Sequence, residues 1–220
     1  MKKITLLFAF ALVAAVLAAQ NNQRYQTAMT NAQAQLDSAR NAADFQAVAN
    51  TYARIAGAEP AEWLPLYYAS FGNLIAGFIL VNTDLPKALL TIDLSQASLD
   101  KAKALAPQES ELAVLQAYIL IGRLMENPMA KGAEITPRVF AELEKAAALN
   151  PGNPRAPFLR GTYVLNMPEF YGGGAANAKP HFEKAATLFE QETGRGLLPH
   201  WGREENAKYL QQLAQPAKGN

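Results

Sequence analysis

Two histidines, His181 and His200, and no cysteine are all the sequence offers of the side chains that most often ligate transition metals or act as nucleophiles. No GxSxG or HExxH spacing occurs. Glu204 and Glu205 are adjacent, so on a helix they point to different faces rather than at one reacting centre. His181 sits beside Phe182 in a helical pattern, and His200 precedes Trp201 in a loop, where packing or capping suits it better than coordination. The segment Asn166 to Gly174, NMPEFYGGG, offers a different chemistry. Gly172, Gly173 and Gly174 before a helix can present backbone N–H groups to an anion, or can supply turn conformations closed to other residues. No lysine–serine pair of the phosphate-loop kind follows them, which favours the turn. The expectation is a non-catalytic protein without a metal site or cofactor.

The elements that must position these residues are helices. Tyr25, Met29, Ala32, Leu36 and Ala39 recur at steps of three or four, one face of a first helix. Asp44 opens a second, carrying Phe45, Val48, Tyr52 and Ile55, closed by Gly57 and Pro60. A fixed spacing then emerges: a small residue, a bulky one four later, a small one three later, and proline five after that. Val48, Tyr52, Ile55 and Pro60 match it loosely. Ser95, Leu99, Ala102 and Pro107 match it, as do Val139, Leu143, Ala146 and Pro151. Ala178, Phe182 and Ala185 repeat it without the proline. Small residues let helices approach, the bulky one fills the gap, and proline stops the helix so that the chain reverses. Ser70, Ala117 and Gly161 take the small crossing position of the preceding helices, and Leu36 takes it in the first pair.

The crossing positions are 19 residues apart from Leu36 to Ile55, but 32 from Ser70 to Ala102, 29 from Ala117 to Ala146 and 24 from Gly161 to Ala185. All three excesses fall between the first and second helix of a pair. The expectation is a set of enlarged loops along one edge. Asp84 as N-cap and Pro86 in a first turn would absorb much of the first excess into helix. Glu126 to Ile135 reads as a loop ended by Thr136 as N-cap and Pro137 as first helical residue. Candidate residues on that edge are Asn127, Met129 and Lys131, then Phe170, Tyr171 and the three glycines. Arg203 to Ala214 reads as a final amphipathic helix with Ala207, Leu210 and Leu213 inward, a polar cap for the array. Trp63 to Val81 carries no charge and is long enough to span a membrane. Asn73 sits mid-run, Pro65 lies near one end, and the stretch fills the slot of a first helix, which favours a buried core helix.

These spacings resemble the tetratricopeptide repeat superfamily over about two thirds of the chain, Asp44 to Ala185. The segments EPAEWLPLYYAS, NPMAKG, MPEFYGGG and PHWGREE are further similar to small secreted tetratricopeptide proteins of Bacteroidota. The resemblance implies an all-α, tetratricopeptide-like solenoid of about four helix pairs with enlarged intra-pair loops and a C-terminal capping helix. It implies packing roles for Tyr52, Leu99, Ala102, Leu143, Ala146, Gly161, Ala178, Phe182 and Ala185. It also implies a concave groove along the first helices: Leu64, Tyr67, Phe71 and Leu74, then Glu111, Val114, Tyr118 and Ile121, then Arg155, Phe158, Thr162 and Leu165. Relatives that clamp a peptide carboxylate use lysine and asparagine at positions held here by Tyr67, Phe71, Val114, Tyr118, Phe158 and Thr162, so that clamp is missing. What remains is an aromatic groove with Glu111 and Arg155 at its lip. An apolar peptide segment, the chain's own C-terminal helix or a second copy in a homodimer would each fit it.

Residues 1–19 read as a signal peptide: basic Lys2 and Lys3, an uncharged run from Ile4 to Leu17, and small residues at Ala18 and Ala19 before a polar stretch. Its removal leaves residues 20–220 as a single domain with no stable membrane span. Without cysteine the chain is no lipoprotein and has no disulfides, so periplasmic or secreted localisation is expected. The formal charge is +1 and no basic run occurs, which argues against nucleic acid as a partner. The leading expectation is an exported protein–protein interaction or scaffold module with an unknown protein or peptide partner. The alternative is a soluble small-ligand binding protein, for a peptide or glycan fragment, that uses the aromatic groove and the extended loops.

Overall fold

The computed structural model describes residues 22–215, and these are all helical apart from turns and loops. The expected signal peptide lies outside them. Helix α1 covers 22–38, followed by α2 (Ala42–Ala58), α3 (Trp63–Leu80), α4 (Leu85–Leu105), α5 (Ser110–Leu124), α6 (Pro128–Leu149), α7 (Arg155–Asn166), α8 (Ala175–Gln191) and α9 (Arg203–Ala214). A short 3-10 helix, Glu169–Tyr171, stands between α7 and α8.

The starts of these helices follow from their caps. The Asn41 side chain accepts from Asp44 N, and the Asp44 carboxylate accepts in return from Asn41 N, a reciprocal capping box. Asp84 accepts from Lys87 N, with Pro86 in the first turn of α4. Asn127 accepts from Ala130 N, with Pro128 opening α6.

That last cap corrects the expected loop over Glu126 to Ile135. Asn127 is the N-cap, Met129 and Lys131 belong to the first turn, and Thr136 and Pro137 lie inside α6. The extra residues of the second and third pairs therefore lengthen helices rather than loops. Pro137 gives up one backbone donor, but the helix carries on through it and Thr136 Oγ1 lies 2.6 Å from Tyr163 Oη on α7. Of the three expected enlarged loops, Asn166 to Gly174 is the one that remains a loop.

Consecutive helices pack on one another, and α5 also touches both α3 and α7. Since successive helices reverse direction, α3, α5 and α7 run parallel and form one face. The apolar α3 is long enough to cross a membrane, yet its surface packs between α2, α4 and α5. Ser70 and Ser95 meet at 2.9 Å where α3 and α4 cross, a close approach that larger side chains would forbid. Tyr52, Leu99, Ala102, Leu143, Ala146, Ala178, Phe182 and Ala185 are all buried. Ser110 Oγ donates to Ala146 O and accepts from Asn153 Nδ2, tying the start of α5 to the turn between α6 and α7. In α9, Leu210 and Leu213 pack on the core as expected, together with Tyr209 and the buried Asn206, whereas Ala207 is exposed. The buried side chains form two clusters, one centred on α2–α4 and one on α5–α8, and Tyr118 and Trp201 pack against both.

Gly161 shows how tight the second cluster is. A Cβ there would stand 2.9 Å from two ring atoms of Phe182. Gly161→Ala is expected to destabilise the fold by about 1–3 kcal/mol through overpacking. The readout is a lower urea midpoint with an unchanged slope.

Candidate functional site

The face made by α3, α5 and α7 is aromatic because each helix turns its bulky residues the same way. Leu64, Tyr67, Phe71, Val114 and Phe158 all lie on it and are buried, and Tyr118 and Thr162 are half-buried. They are covered by the chain itself. The connection between α8 and α9, Glu192 to Gly202, crosses the face as a strap. Trp201 enters where the three helices converge, stacking on Phe71 at 5.3 Å and Tyr118 at 5.7 Å and meeting Phe158 edge-on at 6.2 Å. Its indole Nε1 donates to Tyr67 Oη at 2.8 Å, and Tyr68 Oη donates to Leu197 O at 2.8 Å.

Charge holds the other end of the strap. Arg155 is fully buried at the start of α7. Its guanidinium grips the Glu192 carboxylate with two bonds, at 2.7 and 3.0 Å, and reaches Glu111 Oε1 at 3.2 Å and Pro199 O at 2.5 Å. Arg195 adds a bond to Glu111 Oε1 at 2.7 Å and one to Pro199 O at 3.1 Å. Two arginines thus face two glutamates, and the cluster is neutral overall. Burial pushes the Glu111 carboxyl above its ordinary range, against the pull of Arg155 and Arg195. Burial also works against the Arg155 charge, but Glu111 and Glu192 outweigh it and hold the guanidinium protonated. Glu111 and Arg155, expected at the groove lip, are therefore its buried anchors.

The strap fills only the end of the groove nearest the N-termini of α3, α5 and α7. Towards their C-termini the face continues through Ile75 and Phe78, Tyr118 and Ile121, and Thr162 and Leu165, all partly exposed. Phe78 and Tyr118 lie 5.0 Å apart. Tyr209, Leu210 and Leu213 of α9 border the same cluster. These side chains form a partly exposed apolar strip, called the trough below, that adjoins the Trp201 stack. Burial pushes the Tyr118 phenol up to about 12, aided by Tyr209 and Glu205. Ile79 and Met125, at the ends of α3 and α5, are exposed apolar side chains.

On the loop edge, Phe170 and Tyr171 are 80% and 71% exposed and pair with each other at 4.3 Å. The glycines beside them form a turn and not an anion nest. Gly172, Gly173 and Gly174 donate their N–H groups to Glu169, Pro168 and Val164 carbonyls. A Cβ on Gly173 would meet Met167 O at 2.0 Å, so only glycine fits. Lys131 pairs with Glu126, and Met129 projects into solvent. His181 is half-buried on α8, its pKa lowered by burial and by Arg160 and Lys184. His200 is exposed, 3.8 Å from Asp37.

Sequence reasoning missed Trp201, Glu192, Arg195 and Phe78. PHWGREE shows the tryptophan, but nothing in its spacing says which helices it reaches.

No family model matches the chain, so the tetratricopeptide resemblance rests on residue spacing. No curated protein matches it either. Among solved structures it is similar to the HusA haemophore from Porphyromonas gingivalis. Identity is 26%, the TM-score is 0.76, and the match covers 89% of this chain and 97% of that one. A haemophore is a binding protein rather than an enzyme. The all-helical architecture is thus shared over almost the whole length of both chains.

Removing the guanidinium tests the anchor. Arg155→Ala leaves two buried carboxylates without their main partner and is expected to cost about 3–5 kcal/mol. Tryptophan fluorescence should shift as the strap loosens around Trp201, ahead of any loss of helical signal. A second expectation concerns alkali. Burial holds the Tyr67 and Tyr68 phenols well above their ordinary value of 10.0. Their folded pKa exceeds the unfolded one, so their contribution to stability is complete below about pH 10 and is lost as the pH climbs past it. Tyrosinate absorbance from these rings should appear together with unfolding and not before.

Proposed function

We propose that this protein is an exported carrier for a flat, largely apolar ligand of the porphyrin type, with haem as the first candidate. The likeness to the HusA haemophore is the observation that carries this reading, because it spans nearly all of both chains. The trough supplies the chemistry. Phe78 and Tyr118, partly exposed and 5.0 Å apart, offer the aromatic surface against which a planar macrocycle can pack, and Trp201, itself stacked between Phe71 and Tyr118, holds Tyr118 from behind. Aliphatic side chains, Ile75, Ile121 and Leu165, flank them, and the ligand's carboxylates would extend to solvent.

The scaffold reading is weaker on the same grounds. It needs an open concave groove for a peptide, and the strap covers the groove residues around Tyr67, Phe71 and Phe158. The fold that carries the site is, in this reading, a tetratricopeptide-like stack. Buried small residues at the repeat spacing, such as Ser95, Ala102, Ala146 and Ala185, support it. The signal-like N-terminus agrees with a carrier that works outside the cytoplasm.

Affinity in such a site comes from stacking and burial more than from the iron. The trough is lined by carbon and by the Tyr118 phenol, whose pKa of about 12 disfavours a phenolate ligand. Haemin and metal-free protoporphyrin IX should therefore bind with affinities within about tenfold of each other, or about 1.4 kcal/mol. The measurement is a titration of the mature chain, following the Soret band and tryptophan quenching. Phe78→Ala and Tyr118→Ala should each weaken both ligands by about tenfold, in line with the loss of one stacked ring. Absence of any Soret shift with either ligand, in a folded protein, would sink the proposal.

A further inference from the structure

On the opposite side of α5 lies a second concavity of a different character. Helical periodicity turns Gln116, Leu120 and Arg123 away from the face that carries Val114, Tyr118 and Ile121. Together with Gln96 and Asp100 of α4 and Arg138 and Glu142 of α6 they line a cleft of about 490 Å³. That is within the size range of small-molecule sites. It shares no lining residue with the apolar trough.

The cleft is polar and ordered. Gln96 and Gln116 exchange amide hydrogen bonds at 3.0 and 2.9 Å across the α4–α5 seam. Lys103 Nζ donates to Gln116 Oε1 at 2.7 Å, and Gln96 Nε2 donates to Asp100 Oδ1 at 2.8 Å. Glu142 breaks this pattern of satisfied groups. Its Oε2 is buried and has no hydrogen-bond partner. A buried carboxylate oxygen without a donor is costly, and a bound cationic donor would remove that cost.

The charges are also sorted along the cleft. Arg138 and Glu142 stand one turn apart on α6, roughly 6 Å along its axis. The tight turn between α5 and α6 makes them antiparallel, so Glu142 lies towards the Gln116 end of the cleft and Arg138 towards the Arg123 end. Arg123 lies two turns beyond Gln116 on α5, so the guanidinium groups mark the other end. Arg123 uses one nitrogen on Asp93 at 2.5 Å, and Arg138 one on Glu134 at 3.2 Å, which leaves further N–H donors on both. One end thus presents the Glu142 and Asp100 carboxylates, two acceptors shared with the single Lys103 ammonium, the other end donates to a carboxylate, and the amide pair between them keeps one Gln116 N–H and one Gln96 carbonyl lone pair for a peptide unit.

We propose that this cleft is a second ligand site, specific for a short zwitterionic peptide of two or three residues. Its ammonium group sits at Glu142 and Asp100, and its carboxylate at Arg123 and Arg138. The proposal is independent of porphyrin binding.

The test is calorimetric titration of the mature chain with alanylalanine and trialanine, alongside N-acetyl-alanylalanine amide, which lacks both charges. Saturable binding of a free peptide, absent for the capped one, is expected. Glu142→Gln and Arg138→Gln should each weaken it by about tenfold, the loss of one charge-assisted hydrogen bond. Circular dichroism melting verifies that both variants fold, and both positions are on the cleft wall rather than in either core cluster. No binding of either free peptide overturns the proposal. So does equal binding of the capped peptide, or unchanged affinity in both variants.

Discussion

One buried guanidinium organises the aromatic face of this protein. Arg155 has no exposure, and an arginine cannot shed its charge to escape the cost of leaving water. Its partners must therefore come to it. Glu111 does so from α5, Glu192 from the end of α8, and the Pro199 carbonyl from the loop beyond. Neutralising one charge pulls three separate parts of the chain to the head of α7. The strap that results has no regular secondary structure, yet its course is set by these bonds at one end and by Trp201 at the other.

That strap divides the aromatic face. Where it lies, the aromatic side chains of α3, α5 and α7 become core. Where it ends, the same helices present Phe78, Tyr118, Ile121 and Leu165 half-exposed. The ring stack from Phe71 through Trp201 to Tyr118 joins the two regions. A ligand held in the trough would lean on a wall whose position depends on the charge cluster deeper in. Burial, ion pairing and the proposed carrier function are thus linked through a single loop.

α5 works on both sides. Its residues at one phase form the aromatic face, and those at the other line the polar cleft with Gln96 and Glu142. A helix in the centre of a layered array has two such faces only because α4 and α6 pack beside it and leave its outer side partly uncovered.

Much of the architecture is legible in the sequence. The small–bulky–small spacing at Ser95–Leu99–Ala102 and Val139–Leu143–Ala146 marks helices whose inner faces are indeed buried. Capping residues Asp84 and Pro86 mark the start of α4, and α9 begins and ends at Arg203 and Ala214 as its pattern suggests. Local rules suffice there because caps and periodicity act within a few residues. They fail at Pro137, where a helix-start signal is overridden by the Asn127–Pro128 cap that opens the same helix earlier and by packing that carries the helix through. They also cannot place Trp201, which is 134 residues from its hydrogen-bond partner Tyr67. The sequence by itself determined most of the helical segments and which of their faces are apolar, since those follow from neighbours along the chain. Only the tertiary structure decided that Arg155 is buried, that the strap covers one end of the aromatic face, and which residues beyond it stay partly exposed, because each depends on contacts between residues far apart in the chain.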